Sequence, residues 1–359
     1  MKKLMTTAVL GVALATPLAA EELKVFNWAE YIGPETIANF EAETGIDVTY
    51  DTYDSIETLE TRILAGGSGF DVVFAAGPTA QRFIGAGLIA PLDKAALANH
   101  GNLNPAVIER IQGFDPGAEH LAPYMWGTIG LGFNPAKVEE VLPGADMSDL
   151  AMIFDPANAE KLAQCGLAMI DSPNEVLGLI LNYLGEDPQT ADKAVMKKAE
   201  DVLTAIRPHI RYFDSIKPID DLATGETCVS LIYSGDAGIA SYAASEADNG
   251  VEVFYSIPKQ GSLVWVDSMI TLADAENKDA AAKFIDYMLR PEVAAEATNF
   301  LYYANANAAA NDLVDAEITG DPNIYPTPEV MERLYPEVAL GNKAQRLRTR
   351  TWTRIKTGQ

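Results

Sequence analysis

Histidine is scarce in this chain, and His100, His120 and His209 are scattered with no HExxH or closely spaced pair. A zinc enzyme is poorly supported, because zinc needs several such ligands converging. Cysteine is scarcer still: Cys165 and Cys228 stand alone with no CxxC motif, which argues against thiol redox catalysis. A GxSxG elbow is also missing. The glycine-rich "AGGSGFD" (65–71) lacks the GK[ST] of a phosphate loop and precedes a strand rather than following one, so it reads as a turn. Basic residues are outnumbered, 26 against 51 acidic ones, for a formal charge of −25. So acidic a chain repels nucleic acid and anionic lipid and attracts cations. Salt screens surface charge over about 8 Å, however, so bulk acidity creates no specific site. Beyond residue 20, no apolar run approaches the roughly 20 residues a membrane span needs.

What is present begins with "MKKLMTTAVLGVALATPLAA", a basic start, an apolar stretch and small residues before Glu21. It reads as a secretory signal peptide cleaved after Ala20. Losing Lys2 and Lys3 takes the charge from −25 to −27. The expected mature protein is soluble, exported to a bacterial periplasm and long enough for two domains. In an oxidising compartment the two cysteines are expected to pair, closing a loop worth roughly 4 kcal/mol on the chain-entropy model. The alternative is two small buried hydrophobes.

Short apolar runs alternate with longer periodic ones. "LKVFNW", "DVTYDTY" and "FDVVFA" read as strands, and "PETIANFEAETG" and "SIETLETRILAGG" as helices. Pro34 suits a first turn, and Gly45 a left-handed stop. The pattern recurs: "GLAMID" precedes "SPNEVLGLILNYLG", and "CVSLIYSGD" precedes "AGIASYAASEA". Such alternation implies a parallel sheet covered on both faces. The two blocks are joined near "MWGTIGLGFNP" (125–135) and again near "SIPKQGSLVWVDSMITL" (256–272), so the chain is expected to pass between lobes more than once. The basic tail from Gly341 is expected to pack back onto the acidic body.

Rings and acids recur together at predicted strand ends. Trp28 and Glu30 are two apart, as are Trp265 and Asp267, and Tyr233 and Asp236 end "CVSLIY". Extended pairs two apart project on one face, and open α/β sheets bind ligands beyond their strands' carboxyl ends. The combination suits an organic cation, with a carboxylate neutralising the ammonium and a ring face adding about 0.5–2 kcal/mol. Two other readings compete. Adjacent Tyr302 and Tyr303 could hold ferric iron in a periplasmic carrier, and Glu30 or Glu175 could serve an exported hydrolase.

Over essentially its whole mature length the sequence resembles the periplasmic polyamine-binding proteins, the putrescine and spermidine receptors of ABC importers, and most of all their putrescine branch. "NWAEYI", "GFDVV", "PYMWGTIGLGFN", "CGLAMIDSPNEV", "NYLGEDP", "RPHIRYFDS", "NGVEVFYSIPKQG", "YYANAN" and "RTRTWTRIKTG" carry the likeness, in the same order. The resemblance implies an α/β, two-lobe periplasmic solute-binding fold (type II) with the ligand in the interlobe cleft. Lobe one would be 21–127 with 260–303, and lobe two 128–259 with 304–359. It further implies a non-enzymatic receptor without cofactor, metal or catalytic residue. The receptor would be a monomer that ignores nucleic acid and hands a polyamine to a membrane permease.

By position, Trp28, Trp265 and Tyr303 would wall the alkyl chain, with Tyr233 where the family has Trp. Asp236 and Asp267 would hold one ammonium, and Glu30 and Glu175 the other. Ser215 would be a minor polar contact, and Tyr31 serves either ligand or fold. Cys165 and Cys228 match the family's disulfide positions. The chain departs from the family at Ala29, normally Ser or Thr, and at Ala76 and Pro78, where a serine follows the "DVV" strand. These changes keep the acids and leave the preferred amine open.

Overall fold

The computed structural model describes residues 21–357, so the signal-peptide reading of 1–20 lies outside it. Eleven strands form one continuous sheet: β1 (Glu22–Trp28), β2 (Asp47–Tyr53), β3 (Val72–Ala76), β4 (Ala122–Phe133), β5 (Leu167–Met169), β6 (Ile210–Phe213), β7 (Val229–Tyr233), β8 (Phe254–Ser256), β9 (Leu263–Thr271), β10 (Ala304–Asn305) and β11 (Tyr335–Pro336). The order is β2-β1-β3-β9-β4-β7-β5-β6, with β8 and β10 added to β4 and β11 to β9.

The expected parallel sheet is correct for two blocks and wrong between them. β1 runs parallel to β2 and β3, and β5 to β6 and β7. Between these blocks β9 is antiparallel to β3 and β4, and β4 is antiparallel to β7. The segment "MWGTIGLGFNP" is therefore mostly strand. β4 is 12 residues long and buried throughout, and at about 3.3 Å per residue it is long enough to serve both halves. Up to Thr128 it pairs with β9, and from Ile129 onward with β7. Cover on both faces explains why it reads as an apolar run without alternation.

The helices follow their local signals. Gly45, at φ 70°, ends the helix Thr36–Thr44 by donating its N–H to the Glu41 carbonyl at 2.9 Å. Ser55 caps Ile56–Leu64 by accepting from the Thr58 N–H. Pro34 lies in the turn that leads into the first helix rather than in its first turn. One boundary matters for the site: the helix read from "AGIASYAASEA" starts earlier, at Ser234, which brings Asp236 into its first turn.

The basic tail does pack back. In the helix Asn342–Thr357, Arg348 is buried and donates to the carbonyls of Asn174, at 2.8 Å, and Pro188. Arg354 pairs with Glu200 at 2.9 Å, and Lys356 with Asp171. Among the described residues no helix is long and apolar enough to cross a membrane.

Cys165 and Cys228 form a disulfide, with Cα atoms 5.4 Å apart and a sequence separation of 63. It ties the chain after the helix Pro156–Leu162 to the start of β7. Replacing both cysteines by serine is expected to lower stability by about 2–4 kcal/mol. Denaturant unfolding, compared with the parent under non-reducing conditions, checks this.

Candidate ligand cleft

The site starts at the end of β1. Asn27 is fully buried, and its side-chain amide donates to the Tyr31 carbonyl and to the Tyr50 hydroxyl, both at 2.9 Å. Its Oδ1 accepts the Trp28 N–H at 2.8 Å. This one side chain closes the turn and fixes the positions of Trp28 and Tyr31. The sequence reading missed it, although asparagine at a strand end is a turn signal. The turn also corrects the extended pairing of Trp28 with Glu30: Glu30 takes a left-handed φ of 54° and is exposed. Trp28 is partly buried, tilted on Tyr53 with centroids 4.4 Å apart.

Trp265 and Asp267 do share a face, but within antiparallel β9 rather than at a strand's carboxyl end. Both are buried. Asp267 lies in register with Ala76 of the neighbouring strand β3. The Trp265 ring meets Tyr303 edge-on at 5.2 Å and Tyr233 at 6.2 Å. Tyr31 meets Tyr303 at 5.6 Å and Tyr124 at 5.5 Å. Four of the proposed rings thus form one wall.

Two glycines permit this closeness. A Cβ on Gly127 would lie 2.7 Å from both the Ser234 Oγ and the Trp265 ring. One on Gly235 would lie 2.5 Å from the Tyr303 ring. Gly235→Ala is therefore expected to displace Tyr303 and weaken ligand binding by about tenfold or more, since tight sites cannot absorb an added carbon without shifts. Titration of the folded variant checks this.

Each of the three buried acids lies beside a tyrosine. Tyr303 donates its hydroxyl to Asp236 at 2.6 Å, and the neighbouring charge on Glu30 raises the Asp236 pKa. Tyr233 donates to Glu175 at 3.0 Å, and Asp267 raises the Glu175 pKa. The charge of Glu30 thus reaches Asp236, and that of Asp267 reaches Glu175, besides the pairing of Asp236 with Asp267 that the sequence reading expected. Tyr31 is buried beside Asp267, its hydroxyl outside strict hydrogen-bond geometry.

Burial dominates the ionisation of these groups. It pushes Asp236, Asp267 and Glu175 each up to about 7, against the smaller lowering effect of their tyrosines. Glu175 and Asp236 sit in first turns of helices, where the macrodipole favours an anion by about 0.3–1 kcal/mol. A rise from the ordinary carboxyl range to about 7 corresponds to roughly 3–4 kcal/mol. Desolvation wins. Among the described residues none of the three forms an ion pair.

Two candidates stand apart. The Ser215 Oγ accepts the Asp171 N–H at 3.2 Å, at the end of β6. Tyr302 and Tyr303 diverge: Tyr302 has φ 58° and packs toward Tyr242 at 6.2 Å, away from the wall. The adjacent phenols needed by the ferric reading do not converge. Glu337, which the sequence reading did not single out, lies close enough to Glu175 and Asp267 for their charges to raise its pKa.

Two parallel β/α blocks, two antiparallel strands linking them and buried acids against a wall of rings define a solute-binding protein. Residues 35–327 match the family model described as bacterial extracellular solute-binding protein, and the chain belongs to that family. It is 44% identical to the putrescine-binding periplasmic protein PotF of Escherichia coli, covering 99% of this chain and 97% of that one. It is 38% identical to a putrescine/agmatine-binding protein of Pseudomonas aeruginosa, over 95% and 93% of the two chains. A solved structure described as a putative spermidine/putrescine ABC transporter from Listeria monocytogenes superposes with a TM-score of 0.83 at 31% identity, covering 95% of this chain and all of that one.

Proposed function

We propose that the protein is a non-enzymatic periplasmic receptor that takes up a polyamine in this cleft and delivers it to the permease of an ABC importer. The observation that carries the reading is a set of buried carboxylates beside one ring wall, without cationic partners. Unpaired ions are costly to bury, so a site of this kind is incomplete without positive charge. A chain with an ammonium at each end supplies it to Asp236, Glu30, Asp267 and Glu175. Trp28, Trp265, Tyr233 and Tyr303 cover the methylenes, exclude water and add cation–π attraction of about 0.5–2 kcal/mol. Tyr31 packs against this wall, and Ser215 stays at its margin.

The lobes we assign are 21–127 with 260–303, and 128–259 with 304–359, crossing within β4 and before β9. The pairing of β10 with Met125 and Trp126 ties the start of the third crossing to the first lobe. The receptor works as a monomer, without nucleic acid, after export by a cleaved leader. Titration calorimetry against putrescine, cadaverine, agmatine, spermidine and spermine tests the reading. Micromolar or tighter binding of at least one is expected; binding of none would overturn it. A ligand that touches both lobes favours the closed state through differential affinity. Small-angle scattering is accordingly expected to show a smaller radius of gyration at saturation, and an unchanged profile would argue for a rigid site.

A further inference from the structure

Tyr302 holds a backbone conformation that its residue type resists. It ends the helix Pro291–Leu301 with φ 58°, donating its N–H to the Thr298 carbonyl at 2.8 Å. Glycine or asparagine usually fills that left-handed position, because a Cβ there is crowded. The turn sends two consecutive tyrosines to a single helix, Ser234–Ala247. A Cβ on Gly235 would lie 2.5 Å from the Tyr303 ring, and one on Gly238 would fall onto the Tyr302 Cβ and 2.8 Å from its ring. Residues three apart share a helix face, so both tyrosines rest on the same face. Tyr242, one turn beyond Gly238, is exposed and meets the Tyr302 ring with centroids 6.2 Å apart and planes inclined by 34°. Tyr303 turns inward to Asp236. Tyr302 stays half-buried at the rim.

Resting on the receptor reading above, we propose that Tyr302 is a positioning residue that clamps the closed lobes together without touching the ligand. Tyr302 belongs to the lobe built from 21–127 and 260–303, whereas Gly238 and Tyr242 belong to the other. Opening the cleft separates them, so their contact is made in the closed state alone. An interaction made in one state shifts the population toward that state. Affinity then rises with the closed population, whichever amine is held. The residue types at both positions fit this role and run against local stability. Glycine at 302 would suit the turn but bring no ring across to the other lobe. Alanine at 238 would suit the helix interior, but its methyl would occupy the place of that ring.

The test compares the parent, Tyr302→Gly, Gly238→Ala and the double variant with putrescine and with spermidine, by titration, stopped-flow dissociation and melting curves. Gly238→Ala is expected to weaken both amines alike by about tenfold or more, because the added methyl lies where Tyr302 must close. Its ligand-free form is expected to melt no lower than the parent, alanine being the better helix former. Tyr302→Gly is expected to weaken both amines by about three- to tenfold, the worth of one aromatic contact, with the loss carried by faster dissociation. The double variant is expected to bind more tightly than Gly238→Ala alone and about as well as Tyr302→Gly, since the methyl then meets no side chain. Independent structural defects would instead add. Parental dissociation rates in both folded single variants, a loss confined to one amine, or a double variant weaker than Gly238→Ala overturn the clamp and leave the receptor reading intact. A parent that binds neither amine overturns both.

Discussion

Asp267→Asn is expected to bind the preferred polyamine a few hundredfold more weakly, or worse, while melting no lower than the parent. The substitution nearly preserves shape but removes the countercharge, leaving a desolvated ammonium poorly paired. Breaking one side of a buried charge pair typically costs about 3–5 kcal/mol. The second half of the expectation comes from the empty site. Asp267 is buried without an ionic partner, and burial alone lifts it to about 7, so its charge burdens the ligand-free fold near neutral pH. Removing it relieves that burden. The control is Glu43→Gln: Glu43 is exposed and paired with Arg290 at 2.6 Å, away from the cleft. Its loss is expected to change affinity less than about threefold, as surface pairs contribute little. Trp265→Ala is expected to weaken binding as well, through lost packing and cation–π attraction. If well-folded Asp267→Asn binds as tightly as the parent, the cleft assignment is wrong.

Acidification from about pH 7.5 to about pH 5.5 is expected to weaken binding by about 25-fold for each carboxylate that must be ionised, and by several hundredfold if two must. The cause is that Asp236, Asp267 and Glu175 each sit at about 7 in the empty site, so a cation must displace protons there. Stability moves the other way. A carboxyl whose folded pKa lies above its unfolded value binds more protons folded than unfolded between about pH 4 and 7, so its contribution falls as pH rises through that window. The ligand-free protein is therefore expected to melt higher at about pH 5.5 than at about pH 7.5, while the polyamine-induced rise in melting temperature shrinks. Asp146, lowered to about 2 by Lys259 and Ser148, loses its contribution only at more acid pH and does not offset this. Melting curves with and without ligand at both pH values check it. An affinity independent of pH would show that these acids stay ionised and that burial does not control them.

The legible parts of the fold were those with a local cause. "SIETLETRILAGG" read as a helix from its spacing, and Gly45 marked a stop, because periodicity and left-handed φ depend on a few neighbouring residues. The direction of β4 and β9 was not legible. Both are buried on two faces and show no alternation, and an apolar run does not disclose whether its partner runs parallel or antiparallel. The start of the helix at Ser234 was missed for a related reason: "YSGD" continues the strand "CVSLI" as composition, and only the turn geometry separates them.

The site divides along the same line. Local association of ring and acid in the sequence picked out Trp28, Asp236, Trp265 and Asp267 and the kind of ligand they suit. It also placed Glu30 on an extended stretch, where the side chain of Asn27 instead closes a turn. The reach of charge from Glu30 to Asp236 and from Asp267 to Glu175 joins residues far apart in the chain. It depends on how two blocks of sheet meet across β4 and β9. Glu337 is the extreme case, since nothing in "LYPEVAL" distinguishes a buried acid from an exposed one. By itself the sequence determined the alternation of elements, the acidic balance and the chemistry of individual side chains, because each depends on residue type and short-range spacing. The tertiary structure alone decided which carboxylates share a desolvated space, because burial and charge coupling depend on distance in space rather than along the chain.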